Sequence, residues 1–342
     1  MGIGMIELLR TLFITTPGTS LHLEKDTVRI YHPDKPGRNI LPLLRIDHII
    51  LWNGVDISDD LIMRCAGDAR GVTWLSRNGR FLARVNGPQT GNPLLRLEQS
   101  RAYDSEHRRL SIARAVVAGK LQNYRQLLLR AARDYDEPRR DAIRDVTHQH
   151  SQAIVAAGNA TTLTELLGIE GNAARSYIEA LPLLTPHAPR RRTRRPPTDA
   201  FNCLLSFGYG MLRTAVVGAL EQVGLDPYIG YLHGIRSGKP SLALDLMEEF
   251  RPLLVDRLVI TIFNRKQITA AHTTTDPAGG VALTDEGRKF FLGKWSEARE
   301  RTWRHTETGR EIPAALLPLV QARLLARHLR GDRPAYTPWI AS

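Results

Sequence analysis

The spacing of apolar residues changes abruptly along this chain of 342 residues. Up to Asn86 the apolar positions come in short alternating runs broken by turns. Beyond Pro93 they recur every three or four residues. A period of two places side chains on the two faces of a strand, whereas a period near 3.6 draws a stripe along a helix. A chain that carries both in succession folds as an α+β protein with the two textures segregated. The first region reads as a small β domain with one short helix, and the second as predominantly α. Asn86-Gly87-Pro88-Gln89-Thr90-Gly91-Asn92-Pro93 marks the junction by its Gly and Pro content. The domains are therefore expected at 1–86 and 94–342, with 87–93 as the linker.

Within the first region, Thr11–Phe13, Leu21–Leu23 and Val28–Ile30 alternate, and His32–Gly37 is expected to be a loop. Ile46–Trp52 is apolar enough for a buried strand. Ser58 is placed to cap a helix with Asp59 and Asp60 in its first turn and Leu61, Ile62 and Cys65 facing inward. Val72–Leu75 and Phe81–Val85 flank Asn78-Gly79, a dipeptide suited to a type I′ hairpin turn. In the second region helices are expected over 94–132, 139–157, 161–182, 200–222, 241–264, 284–302 and 313–330, separated by Gly-containing stretches.

Hydrophobic residues make up 42% of the chain, enough for real cores, so wholesale disorder is excluded. Two cysteines, Cys65 and Cys203, support neither a disulfide framework nor a Cys-rich zinc site and read as packing residues in a reducing cytoplasm. No apolar run is expected to span a membrane, and the short run Leu12–Ile14 ends too early for a signal peptide.

Lys and Arg number 47 against 35 Asp and Glu, a net charge of +12. Only seven are Lys, which leaves 40 Arg. The planar fork of Arg grips phosphate in bidentate fashion, and such a charge points to a polyanionic partner. A GC-rich genome accounts for the choice of Arg over Lys equally well. The densest patch is Arg190-Arg191-Arg192-Thr193-Arg194-Arg195, bracketed by prolines and so expected to be an exposed loop. It reads as a clamp for a DNA backbone, or as a solvated loop between helices.

The chain has no Walker loop, HExxH, paired CxxC or GxSxG. Asp145, His148 and His150 could suggest a metal cluster, since Asp145 and His148 stand one turn apart on a helix, but they read as ordinary helix-surface residues. Two other segments are less ordinary. Around Glu170, Gly171, Ala173 and Ala174 leave room for a large group, and Ala174 and Tyr177 share its helical face. Further on, His233 precedes a Gly-rich basic loop and a helix starting near Ser241, on which Asp245 and Glu248 stand one turn apart. Carboxylates among apolar residues need partners. A divalent cation is one option, and salt bridges to Arg236 or Arg251 are the other.

The stretches Ile169–Tyr177, Asp199–Tyr209 and Ser241–Pro252, in this order and spacing with His233 ahead of the last, resemble the universal CRISPR spacer-acquisition integrase family, the larger of the two core adaptation proteins. The hairpin Asn78–Val85 and the tail from Pro313 to Gly331 resemble I-C-type members. The resemblance covers nearly the whole chain, apart from an extension before Met5. It implies a β-sandwich-like N-terminal domain that dimerises and an all-α catalytic C-terminal domain. It implies a Mg²⁺ or Mn²⁺ site of Glu170, His233 and Glu248, the last being Asp in many members. Asp245 matches the accessory acidic position, Arg236 and Arg251 the basic residues lining the site, and Tyr209 and Asn202 the flanking motif. Gly234–Lys239 departs from the usual loop, which leaves the contacts of Arg236 and Lys239 open.

By that resemblance the activity is metal-dependent transesterification, in which the 3′-hydroxyl of a spacer fragment attacks the repeat boundary. Double-stranded DNA, both fragment and leader-repeat, would be held by Arg175, Arg190, Arg191, Arg192, Arg194, Arg195 and Lys239. The expected protein partners are a second copy of the chain and a small ferredoxin-like adaptation protein. Two other readings stand beside it. A structure-selective nuclease would yield nicks without joined strands, and a non-catalytic scaffold would bind DNA with a steep salt dependence and form no product.

Overall fold

A computed structural model describes residues 11–33, 35–76, 81–85, 87 and 93–341. The chain is a mixed α+β protein of two compact units, residues 1–90 with 283–290 and residues 91–282 with 291–342.

The first unit contains two four-stranded sheets. One runs in the order β1 (Thr11–Ile14), β5 (His48–Trp52), β7 (Gly71–Leu75), β8 (Phe81–Val85), with β5 parallel to both neighbours and β8 antiparallel to β7. The other runs β4 (Lys35–Pro42), β3 (Thr27–His32), β2 (Ser20–Glu24), β6 (Asp56–Ile57). Their inner faces share one core: Leu21, Val28 and Ile30 from one sheet meet Ile49, Leu51 and Val72 from the other. The helix α1 (Asp59–Gly67) adds Leu61 and Cys65 one turn apart. Ser58 takes the cap position with extended backbone, although its hydroxyl makes no capping bond. β5 is buried from Ile49 to Trp52 without alternation, as a strand with parallel partners on both sides requires.

The expected loop at His32–Gly37 is corrected. Pairing of β3 with β4 resumes at His32↔Lys35, and the Pro36-Gly37 backbone lies inside the β4 strand. A register shift between Ile30 and His32 absorbs the extra residues, which is how a sheet accommodates Pro and Gly. The Asn78-Gly79 turn lies outside the described residues, as do most of the linker and the extension before Met5; the flanking strands do pair antiparallel, Leu75 opposite Phe81.

The second unit holds α2 (Pro93–Asp104), α3 (Glu106–Ala132), α4 (Arg139–Asn159), α5 (Leu163–Leu184), α6 (Ala200–Val223), α7 (Ser241–Met247), α8 (Arg257–Asn264) and α10 (Leu317–Leu329), while α9 (Asp285–Glu300) runs between the two residue sets. The expected helix over 94–132 is broken at Ser105, whose hydroxyl caps α3 by accepting from the Arg108 amide. The expected helix over 241–264 is also broken. A π-helical turn, Arg251–Asp256, separates α7 from α8. Pro252 has no N–H to donate to the preceding turn, so the ladder loses a bond there. Such wide turns often mark functional sites. The all-α expectation needs one further adjustment, since two short ribbons, Thr273–Thr275 with Val281–Leu283 and Thr302–Arg304 with Glu311–Pro313, interrupt the helices.

The expectation that no apolar run reaches membrane-spanning length is corrected by α6, which passes by length and composition with a mean hydropathy of 1.4. In this fold 61% of that window is buried, because α6 is the helix around which α7, α10 and the π-helical turn pack.

Candidate active site

Asp245 organises the site. Its carboxylate is 1% exposed and accepts four hydrogen bonds. Oδ2 takes the amides of Tyr231 (2.5 Å) and Leu232 (2.9 Å), and Oδ1 takes the amide of His233 (2.9 Å) and faces its Nδ1 (2.7 Å). The segment approaches α7 this closely because residue 230 is Gly. A Cβ there would stand 2.5 Å from the carbonyl carbon of Ser241. Ser241 is not the cap of α7. Pro240 holds that place, and the Ser241 hydroxyl instead donates to the Gly234 carbonyl.

With Nδ1 engaged, the other imidazole nitrogen is turned to Glu248, Nε2 lying 4.0 Å from Oε1. Glu248 sits just beyond the last turn of α7 and is 2% exposed. Arg251 Nη1 is 2.8 Å from Oε1, and Lys120 Nζ is 2.6 Å from Oε2. Burial pushes the Glu248 carboxyl up, but Arg251, Lys120 and His233 outweigh it and hold it down at about 2. The Lys120 ammonium, 3% exposed on α3, also contacts Oε1 of Glu170 on α5. Glu170 and Glu248 therefore share one cation, and His233 stands beside Glu248. Arg251 rather than Arg236 supplies the salt bridge to Glu248. Arg236 is exposed on a turn closed by the Lys239 amide.

Behind this group lies a tyrosine cluster. Asp256, in the π-helical turn, accepts from Tyr177 (2.9 Å) and Tyr209 (2.5 Å). Burial raises its carboxyl to about 6 against the pull of those hydroxyls and of Arg251 and Arg192. Tyr124 stacks on Tyr177 at 3.7 Å between ring centroids, and the Lys120 ammonium stands 5.6 Å from the centre of the Tyr124 ring. Tyr209 lies under the Arg251 guanidinium at 4.9 Å, which places it next to the residues around Glu248.

Asn202 acts as a fastener beside the site. It is buried at the start of α6, where its amide donates to Asp199 and to the Arg191 carbonyl and its Oδ1 accepts from Arg192. Arg192 differs from its neighbours in the same way. It is partly buried, bonds Asn202 and Ser206, and reaches toward the Tyr209 ring at 5.5 Å, whereas Arg190, Arg191, Arg194 and Arg195 are exposed. Arg175 is exposed on α5.

Sequence reasoning missed Lys120, Asp256 and Glu249. A signal for Lys120 existed: it falls on the stripe Ala113, Val117, Leu121, Tyr124 of α3, a buried face where a lysine needs an anion. Glu249 is buried beside Glu248, its carboxyl pushed up to about 8 by burial, and accepts from the Tyr336 hydroxyl (2.7 Å), Gln321 Nε2 (3.1 Å) and the Trp339 amide. Asn123 on α3 clamps the same tail, donating to the Trp339 carbonyl (2.9 Å) and accepting from the Ala341 amide (3.0 Å). The C-terminal tail is thus buckled behind the site, with Trp339 fully buried against Phe250 and Trp303.

Among the described residues no three His, Cys, Asp or Glu side chains stand close enough together to hold a metal as they are, and Lys120 stands between Glu170 and Glu248. The donor set nonetheless suits a hard cation. It offers two carboxylate oxygens already directed at one positive charge and an imidazole nitrogen left free by Asp245.

A β-rich unit followed by a helical one that carries a carboxylate–imidazole site, with an arginine-rich segment reaching it through Arg192, defines a two-part α+β protein. A family model described as CRISPR associated protein Cas1 matches residues 12–297. CRISPR-associated endonuclease Cas1 1 of Moorella thermoacetica is 41% identical over 97% of this chain and 98% of its own length. This chain belongs to the Cas1 family. Among solved structures, a Cas1 protein from Thermotoga maritima shares the fold with a TM-score of 0.80 and 27% identity, over 96% of this chain and 99% of that one. A casposase solved bound to its integration product has a TM-score of 0.82 at 21% identity, over 96% of this chain and 93% of the casposase, a likeness of fold.

Proposed function

We propose that this protein is a metal-dependent DNA integrase that inserts new spacer DNA into a CRISPR array. The observation that carries the reading is the convergence of Glu170 and Glu248 on a single cation, with His233 Nε2 4.0 Å from Glu248. Membership of the Cas1 family supports it, as does the fold shared with a casposase bound to its integration product.

Oxygens of Glu170 and Glu248 and Nε2 of His233 would hold Mg²⁺ or Mn²⁺; the imidazole favours Mn²⁺ somewhat. The chemistry supplied by the bound ion is polarisation of the scissile phosphoryl oxygen and neutralisation of charge building in the transition state. The protein's own groups do the rest. Asp245 fixes the imidazole so that Nε2 faces the donor set. Arg251 neutralises and steadies Glu248. The exposed arginines 190, 191, 194 and 195, with Arg175 and Lys239, hold the phosphate backbone. The nucleophile is the fragment's 3′-hydroxyl, which attacks a phosphodiester at the repeat boundary and displaces the strand end there as the leaving group, so a protein nucleophile is unnecessary. The β-rich unit serves as the dimerisation surface, and a small ferredoxin-like protein completes the complex.

The names of the relatives favour a second reading, since they are called endonucleases. A labelled fragment incubated with repeat DNA and Mg²⁺ or Mn²⁺ separates the two. Joined strands support integration. Free nicks without joined strands assign hydrolysis and contradict it.

A further inference from the structure

Lys120 stands out because a buried lysine occupies the place where two carboxylates meet. Its ammonium contacts Oε1 of Glu170 and lies 2.6 Å from Oε2 of Glu248, and the side chain is 3% exposed. In a chain with 40 Arg this position is one of only seven Lys. An arginine fork would hold the carboxylates in a fixed planar geometry, whereas an ammonium is a compact point charge on a flexible stem that can withdraw.

We propose that Lys120 is a built-in counterion of the metal site, holding Glu170 and Glu248 together while no divalent ion is bound and withdrawing from both oxygens when one binds. The proposal rests on the metal reading above. Without a cation between them the buried Glu248 and the half-buried Glu170 carboxylates repel each other, and Arg251 steadies only Glu248, so the two would drift apart. Lys120 prevents this and keeps the donors aimed at one point. The same contact makes it a competitor. An ammonium cannot stay within hydrogen-bonding distance of an oxygen already bound to a divalent ion without strong like-charge repulsion. The Tyr124 ring, 5.6 Å from Nζ, offers the displaced charge a face to rest on. The ion then binds only to the fraction of sites from which the ammonium has moved, and its apparent affinity falls by that fraction.

The test is Mn²⁺ binding to the full chain, followed by electron paramagnetic resonance of the free ion, with no DNA present. Lys120→Met keeps the stem and removes the charge. It is expected to bind Mn²⁺ at least about tenfold more tightly than wild type. Its melting temperature without metal should fall, and Mn²⁺ should raise it by more than it raises the wild type. If Lys120→Met does not fold without metal, Lys120→Gln, neutral but able to donate to both carboxylates, is measured in its place with the same expectation. Glu248→Gln serves as the control that loses binding. Binding by wild type but equal or weaker binding by the Lys120 variant overturns the counterion role and leaves the metal reading intact. Absence of Mn²⁺ binding in wild type and variants alike overturns the metal reading and the proposal with it.

Discussion

The Nδ1 of His233 lies 2.7 Å from Oδ1 of Asp245, a carboxylate that also gathers three successive backbone amides. Asp245 therefore fixes both the ring and the loop that carries it. Asp245→Asn keeps the shape but loses the charge and one acceptor. The expected outcome is a fall of about 10- to 100-fold in both Mn²⁺ affinity and strand joining, with DNA binding retained. Wild-type Mn²⁺ affinity in the variant would contradict this positioning role.

Gly119 lies next to Lys120 on α3, where the C-terminal tail crosses. A Cβ at this position would stand 2.5 Å from Cβ of Pro338 and 3.5 Å from Cβ of Glu249. Within an ordinary helix Gly→Ala stabilises by about 1 kcal/mol. Here the proline ring cannot fold away, so Gly119→Ala is expected to destabilise by roughly 1–3 kcal/mol, measured by chemical denaturation. A stabilised variant would show that the tail does not press on α3.

The arginine-rich segment divides into two kinds of residue. Arg190, Arg191, Arg194 and Arg195 point outward, and each replacement by Ala should weaken DNA binding and reduce the salt slope by about 1, with little change in stability. Arg192 is tied to Asn202 and Ser206, so Arg192→Ala should instead cost about 1–3 kcal/mol of stability. Equal effects across all five positions in both measurements would contradict the division.

Asp256 gives a pH signature. Its carboxyl is raised by burial from 3.8 to about 6, so the folded state binds a proton more tightly than the unfolded state does. The resulting stabilisation is fully present below pH 3.8 and is lost as the pH rises through about 6. Above that, the wild type carries a buried charge that Asp256→Asn does not. The stability of the variant relative to wild type should therefore rise between pH 4 and 7, by up to about 3 kcal/mol. A difference that stays flat over this range would contradict the account.

Much of the fold was legible because the two periodicities are strong. β1, β5, α1 and most helix positions follow from apolar spacing alone. Where reading failed, a local signal was overruled by longer-range pairing. Pro36-Gly37 looks like a loop until β3 supplies a partner strand, and 241–264 looks like one helix until Pro252 removes a donor. Glu170, His233, Glu248 and Asp245 were legible through motif spacing. Lys120 was not, because it meets Glu170 across 50 residues and Glu248 from another helix, and only folding brings the three together. The tail that buckles onto Glu249 was hidden for the same reason, its Trp339 amide lying 90 residues away in sequence.

The most direct measurement of the central claim is strand joining by wild type and by Glu170→Ala, His233→Ala and Glu248→Ala, using labelled fragment, repeat DNA and the small partner protein, with Mn²⁺ or with chelator. Joined product is expected from wild type only with metal and from none of the three variants, with DNA binding retained in all of them. Joined product at the wild-type rate from any one variant, or from wild type in chelator, would contradict it.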